Sequence, residues 1–208
     1  MWMRMSVVAL AALAGVAMRP PRLSNPAQVE NTLSQVIGLT GRSDYVLDAK
    51  GETVFRRRPF YYSLERMTGE RMGRGLIRND IVERLVETRT CVAGESIGRF
   101  PADVREFIKE NFLEAGRLYV AGRVLEDGSG PPAGTISFTV AIPARYAVMT
   151  GTSPARGRLD GAEYDGPREL GAGQHEWAGE GDGGKTVLVW AQAAERGTLP
   201  EALTDEGR

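Results

Sequence analysis

Glu126-Asp127-Gly128-Ser129-Gly130-Pro131-Pro132 divides the chain, because its glycines, prolines and small polar residues extend neither a helix nor a strand ladder. Upstream of it, helical and strand patterns alternate. Asn25-Pro26 offers a capping side chain and a proline for a first turn, and Val29, Leu33, Val36 and Ile37 recur at helical spacing until Gly38. Asp44 to Asp48 reads as a short strand, and Ala49-Lys50-Gly51-Glu52 as a turn before Thr53-Val54-Phe55. A second helix is expected from about Phe60 to Arg74, and a third from an Asn79 cap with Ile81, Leu85 and Val86 on one face. Arg89 to Ala93 reads as a buried strand. Phe100-Pro101 opens a helix through Val104, Phe107, Ile108 and Phe112, and Leu118-Tyr119-Val120-Ala121 is the next strand. The alternation predicts a small three-layer α/β unit with a mainly parallel sheet over residues 23–125.

Downstream, Thr135 to Val140 alternates, Arg145 to Met149 follows, and glycines punctuate the chain as far as Gly184. Lys185-Thr186-Val187-Leu188-Val189-Trp190 is the last clear strand. Short strands between glycine turns predict a compact β-sandwich over 126–197, ahead of a frayed polar tail at 198–208. The expected class is therefore α+β overall.

Bulk properties set limits on function. The chain has 208 residues, 42% of them hydrophobic and 25% charged, with a net charge of -1. That length holds one sizeable core or two small ones. So small a net charge supplies no long-range field for nucleic acid, which is not an expected partner. Up to Gly122 there are 18 Lys and Arg against 14 Asp and Glu, and beyond it 8 against 13. The resulting balance of +4 and then -5 agrees with two differing surfaces.

Met1 to Met18 reads MWMRMSVVALAALAGVAM, an apolar run after Arg4 that Arg19-Pro20-Pro21-Arg22 ends. The run is short of the roughly 20 residues that span a bilayer comfortably, but it has the length of a secretory signal core. Residues 1–22 are expected to be a cleaved signal, an uncleaved anchor or the end of a transmembrane helix. The remainder would face the periplasm or cell exterior, and would be secreted if cleavage occurs. Cys91, the single cysteine, closes no intramolecular disulfide and reads as a small buried hydrophobe.

No catalytic, metal or cofactor constellation is legible. His175 is the only histidine, which weakens every triad or multi-histidine metal reading, and Gly69 to Gly75 lacks the Gly-Lys-Ser/Thr ending of a phosphate loop. The most unusual stretch is Phe55-Arg56-Arg57-Arg58-Pro59-Phe60-Tyr61-Tyr62. Arginine pairs bidentately with phosphate, and aromatic faces stack on sugars or lipid headgroups. Arg56, Arg57, Arg58, Tyr61 and Tyr62 are therefore candidate ligand-binding residues, joined by Asp48 at the end of a strand, where α/β sheets place ligands. The competing reading makes the arginines a solvated strand end and the aromatics a buried helix face.

The runs Asp44-Tyr45-Val46-Leu47-Asp48-Ala49-Lys50-Gly51-Glu52-Thr53-Val54-Phe55-Arg56, Arg58-Pro59-Phe60-Tyr61-Tyr62 and Arg78-Asn79-Asp80-Ile81-Val82-Glu83-Arg84-Leu85 resemble a known pattern. It is the soluble carboxyl-terminal tail of bacterial GT-C glycosyltransferases related to dolichyl-phosphate-mannose protein mannosyltransferases. The resemblance covers about residues 7–122. It implies a system that takes sugar from a polyprenyl-phosphate carrier, with this tail outside the cytoplasm. The catalytic acids of that family lie between membrane helices that this chain does not contain, so no catalytic residue carries over. Residues 135–192, through Gly157 to Pro167 and Leu170 to His175, resemble a PEGA-type β-domain, a non-catalytic class. The expected function is a non-catalytic accessory domain whose partners are the membrane and either a polytopic glycosyltransferase or a lipid-linked sugar. The alternative is a structural or interaction module of the envelope without a glycan role.

Overall fold

The structure, a computed structural model, describes residues 26–53, 55–126, 134–180 and 184–204. The expected membrane segment at 1–22 and all of the dividing stretch except Glu126 lie outside the described residues. The elements of the first part are α1 (Pro26–Leu39), β1 (Val46–Leu47), α2 (Arg66–Gly73), α3 (Ile81–Glu87), β2 (Val92–Gly94), a 3-10 turn (Ser96–Arg99), α4 (Ala102–Asn111), β3 (Phe112–Ala115) and β4 (Leu118–Glu126). Eight further strands follow: β5 (Thr135–Val140), β6 (Ala144–Thr150), β7 (Ser153–Pro154), β8 (Gly157–Leu159), β9 (Ala162–Glu163), β10 (Arg168–Leu170), β11 (Gly173–Gly179) and β12 (Thr186–Trp190). Two short helices close the chain, α5 (Ala191–Glu195) and α6 (Glu201–Thr204).

The fold is mixed α and β with two sheets. The larger has eight strands in the order β1-β2-β4-β12-β6-β10, with β3 also paired to β4 and β7 to β6; the smaller has the order β5-β11-β8-β9. The expectation of a mainly parallel sheet is corrected here. Among the described residues β1 and β2 are the one strand pair in parallel, extended by a single parallel bridge between Tyr45 and Arg57, and the other strand pairs are antiparallel. The cause lies just after α4. The helix stops at Asn111 rather than running through Phe112, and Phe112–Ala115 pairs with Leu118–Ala121 across a turn at Gly116, where φ is +63°. A two-strand hairpin reverses the chain where a βαβ unit would have kept its direction.

The larger sheet also crosses the expected boundary at 125/126, since β12 hydrogen-bonds to β4 on one side and to β6 on the other. Their closeness is visible at Gly122, which pairs with Val189: a methyl group there would sit 2.4 Å from the Leu188 carbonyl oxygen. Only a residue without Cβ lets the backbones approach so far.

Alternation along the strands buries both faces of this sheet. One face carries Val46, Val92, Val120, Ala147, Met149, Val187 and Val189, and packs with Val36 and Leu39 of α1, Ala191 and Ala193 of α5, and Leu203 of α6. The other carries Leu47, Ala93, Ala121, Tyr146, Val148 and Leu188, and packs with Ile81 and Leu85 of α3, Val104 and Ile108 of α4, and Phe138, Leu159 and Trp177 of the smaller sheet. A strand covered on both sides needs apolar residues at consecutive positions, which is why Val187-Leu188-Val189 is a continuous run. The second sheet of the expected sandwich thus shares its core with strands from both parts of the chain. The stretch expected to fray from Thr198 includes α6, whose Leu203 is 4% exposed.

Candidate functional site

The segment from Asp48 to Tyr62 is built around one buried carboxylate. Asp48 is 2% exposed; its Oδ1 accepts from the Gly51 amide, and its Oδ2 accepts from the Thr53 amide at 3.0 Å and from the Thr53 hydroxyl. Arg58 Nε lies 3.0 Å from Oδ1, close enough for an ion pair although not aligned for a hydrogen bond. The Arg58 Nη2 donates to the Tyr62 carbonyl at 2.9 Å, and the guanidinium sits over the Phe60 ring at 4.8 Å. A carboxylate with this set of donors closes its own turn, and its partner arginine ties that turn to the aromatic run.

Arg56 is engaged in a different place. Its Nε donates to Thr40 Oγ1 at 2.7 Å, its Nη2 to the Thr40 carbonyl at 2.8 Å and the Ile37 carbonyl at 3.2 Å, and its Nη1 to its neighbour Phe55. The carbonyls at the end of α1 have no partners within the helix. Gln192 Nε2 takes the Leu39 carbonyl at 2.8 Å and Arg196 Nη1 the Gly38 carbonyl at 2.6 Å, so three distant side chains cap this helix end. Two of the three are cations, the sign that the negative end of a helix favours.

The other candidates diverge from these. Arg57 uses its backbone carbonyl to accept from the Val46 amide at 2.9 Å, while its side chain is exposed and unpaired among the described residues. Tyr61 is 93% exposed and meets only the edge of Tyr62. Tyr62 is half-buried, and burial together with the neighbouring Asp80 carboxylate pushes its phenol up to about 12. It is a neutral phenol at any physiological pH. The structure therefore brings Asp48, Arg58 and the Tyr62 backbone together and leaves Arg57 and Tyr61 outside that group. The expected helix over Phe60–Tyr62 is absent, because α2 begins at Arg66. Phe60 is instead buried edge-on to Phe100 from an irregular segment.

Sequence reasoning passed over a different feature. Between the 3-10 turn, α4 and the β3–β4 hairpin lies an open cleft of about 500 Å³, lined by Ile97, Arg105, Ile108, Lys109, Leu113 and Tyr119 among others. Arg105 and Lys109 stand four residues apart on α4, a spacing at which like charges face each other and repel. Neither makes an ion pair among the described residues; Arg105 has one hydrogen bond, of 3.3 Å, to the Phe100 carbonyl. The carboxylate at the rim, Glu114, accepts from the Tyr119 hydroxyl at 3.0 Å. An apolar floor beside two unanswered cations fits an amphipathic anion. The signal that could have found it is the Arg105/Lys109 spacing on a helix whose adjoining positions, Val104 and Ile108, are core.

Elsewhere the reactive groups are quiet. Burial pushes the Cys91 thiol up to about 12, which removes it as a nucleophile. Tyr146, whose phenol burial also raises, donates to the Ile142 carbonyl at 2.9 Å. Among the described residues no group of three or more His, Cys, Asp or Glu side chains could hold a metal ion, and no helix is long and apolar enough to cross a membrane. His175 lies within β11 and is bonded on both ring nitrogens. No protein-family model matches the chain, and neither a curated protein nor a solved structure shows significant similarity to it.

Proposed function

We propose that this chain is a non-catalytic accessory domain of a membrane glycosyltransferase system that uses a polyprenyl-phosphate sugar, held on the extracytoplasmic side by its apolar amino terminus. The observation that carries the reading is the cleft beside α4, with Arg105 and Lys109 unpaired above an apolar floor. An isoprenoid chain suits Ile97, Ile108, Leu113 and the ring of Tyr119, and a phosphate suits the two cations. The role is one of binding: the domain would hold the carrier's phosphate and first isoprene units near a transferase. The firm capping of α1 also supports it, since this helix follows the apolar run in sequence and its far end is fixed by Arg56, Gln192 and Arg196.

The test is a titration of the full chain with farnesyl phosphate, with farnesol as the uncharged control, repeated on Arg105→Gln/Lys109→Gln. The phosphate is expected to bind at least about ten-fold more tightly than the alcohol, a difference of about 1.4 kcal/mol, and the double substitution to erase that preference. Equal affinity for both compounds, or a preference that survives the substitutions, contradicts the proposal. The second reading, an envelope interaction module without a glycan role, draws on the arginine-rich run, where Arg56 and Arg58 serve backbone carbonyls rather than a ligand.

A further inference from the structure

The only histidine of the chain occupies a position in which both of its ring nitrogens face oxygen. His175 Nδ1 lies 2.8 Å from Asp160 Oδ2, and Nε2 lies 3.0 Å from the Gly171 carbonyl oxygen. A carboxylate and a carbonyl can only accept, so two bonds at once require two N–H groups. A neutral imidazole has one. The arrangement is therefore complete only for the imidazolium.

Asp160 is itself well placed to be ionised. It sits at the tip of the β8–β9 hairpin with φ of +52°, followed by Gly161 at +76°, and its Oδ1 accepts the Glu176 amide at 2.9 Å. Arg168 of β10 acts on Asp160 as a cation, with its guanidinium bonded to the Glu163 carbonyl and to Asp165, and Arg158 of β8 donates to the carbonyl of the adjacent Gly161 at 3.0 Å. The element on the other side, β5, presents the uncharged ring of Phe138 at 5.8 Å from the imidazole. The net direction is a histidine raised above 6.5, by Asp160 and the Gly171 carbonyl against the opposing effect of burial. Asp160 is lowered below 3.8 by His175 and the Glu176 amide, again against burial.

We propose that His175, held as an imidazolium between the Asp160 carboxylate and the Gly171 carbonyl, is a proton-operated clamp that joins the β8–β9 hairpin and the β10–β11 connection to strand β11. Loss of the proton leaves one N–H, which stays with the carboxylate because an imidazole lone pair facing that charge is the worse alternative. Nε2 then presents a lone pair to the Gly171 oxygen, and the connection at Gly171 and Ala172 lets go. The smaller sheet is thus tied down in acid and loosened on one side above neutrality. This behaviour is independent of the cleft beside α4.

The experiment is a proton and nitrogen-15 NMR titration of the full chain from pH 4.5 to 9, in which a single histidine makes the ring signals unambiguous. Expected are two protonated ring nitrogens at pH 6, a midpoint above 6.5, and amide shifts of Gly171 and Ala172 that follow the same midpoint. Asp160→Asn keeps an oxygen acceptor and tolerates the positive φ, so it is expected to fold and to lower the midpoint by about one pH unit. A wild-type midpoint at or below 6.5, or Gly171 and Ala172 amides that ignore the histidine titration, overturns the clamp. These two readouts need no variant at all.

Discussion

Two cationic regions of this protein, Arg56–Arg58 and the Arg105/Lys109 pair of α4, behave oppositely in the fold. In the Arg56–Arg58 run, two of three guanidinium groups turn inward: Arg56 caps the end of α1 and Arg58 pairs with the buried Asp48. On α4, Arg105 and Lys109 stay outward beside the cleft and form no ion pair among the described residues, while the Glu114 carboxylate at its rim is taken by the Tyr119 hydroxyl. Local charge density therefore does not say whether a charge is available to a ligand. What decides it is the nearby supply of acceptors. The helix end at residues 36–40 and the turn at 48–53 offer carbonyls and a carboxylate to the first group, whereas the carboxylates of α4, Asp103, Glu106 and Glu110, form no ion pair with the second.

Perturbing each region separately sharpens the contrast. The largest effect is expected from Asp48→Ala, which strands the Arg58 charge in a part-buried site and removes acceptors from Gly51 and Thr53. Breaking a buried pair from one side costs about 3 kcal/mol, so thermal unfolding should shift down by about 6–12 °C. Arg56→Ala comes next. The loss of several hydrogen bonds at the end of α1 is expected to cost about 1–2 kcal/mol, read as a lower midpoint in urea with an unchanged slope. An unaltered midpoint would mean that the cap is not formed in solution.

The α4 cations should respond in the reverse sense. Arg105→Gln and Lys109→Gln are expected to leave thermal stability unchanged, or raise it slightly by relieving their repulsion, while abolishing the preference for a phosphate head. Destabilisation by these changes would place them with the structural arginines and remove the contrast.

The smallest effect is the pH response of the smaller sheet. Because the folded state raises His175, its contribution is fully present below pH 6.5 and disappears as pH rises through the folded value; because the folded state lowers Asp160, that contribution is present above 3.8 and disappears in stronger acid. Comparing wild type with His175→Gln by thermal unfolding should therefore show the largest difference between pH 4 and 6.5, and a smaller one at pH 9, where the neutral ring keeps its bond to Asp160 and its contact with Phe138.

These contrasts also mark where the sequence was legible. Helices α1 and α4 follow from residues three and four apart, and β12 from an unbroken apolar run, because each signal is local. Sheet direction was not legible. It depends on β3, where Phe112-Leu113-Glu114-Ala115 continues a helical pattern and becomes a strand only because β4 is there to pair with it. The Phe60–Tyr62 stretch misled for a related reason: it reads as part of the helix that follows it, whereas Phe60 turns in from an irregular segment to meet Phe100. At the site level, the acceptors of Arg56 lie 16 and 19 residues away in sequence, and the partner of His175 lies 15 away. No pattern read along the chain connects such residues. The Asp48–Gly51–Thr53 turn, closed within five residues, is the part of the candidate site that a sequence reading could place.

The most direct test of the account measures stability and ligand preference on the same two variants, Arg56→Ala and Arg105→Gln/Lys109→Gln, against wild type. A crossed result is expected: the first variant loses stability and keeps its preference for farnesyl phosphate over farnesol, and the second keeps its stability and loses that preference. Loss of the preference in Arg56→Ala with its retention in the α4 variant would contradict the account, returning the ligand role to the arginine-rich run.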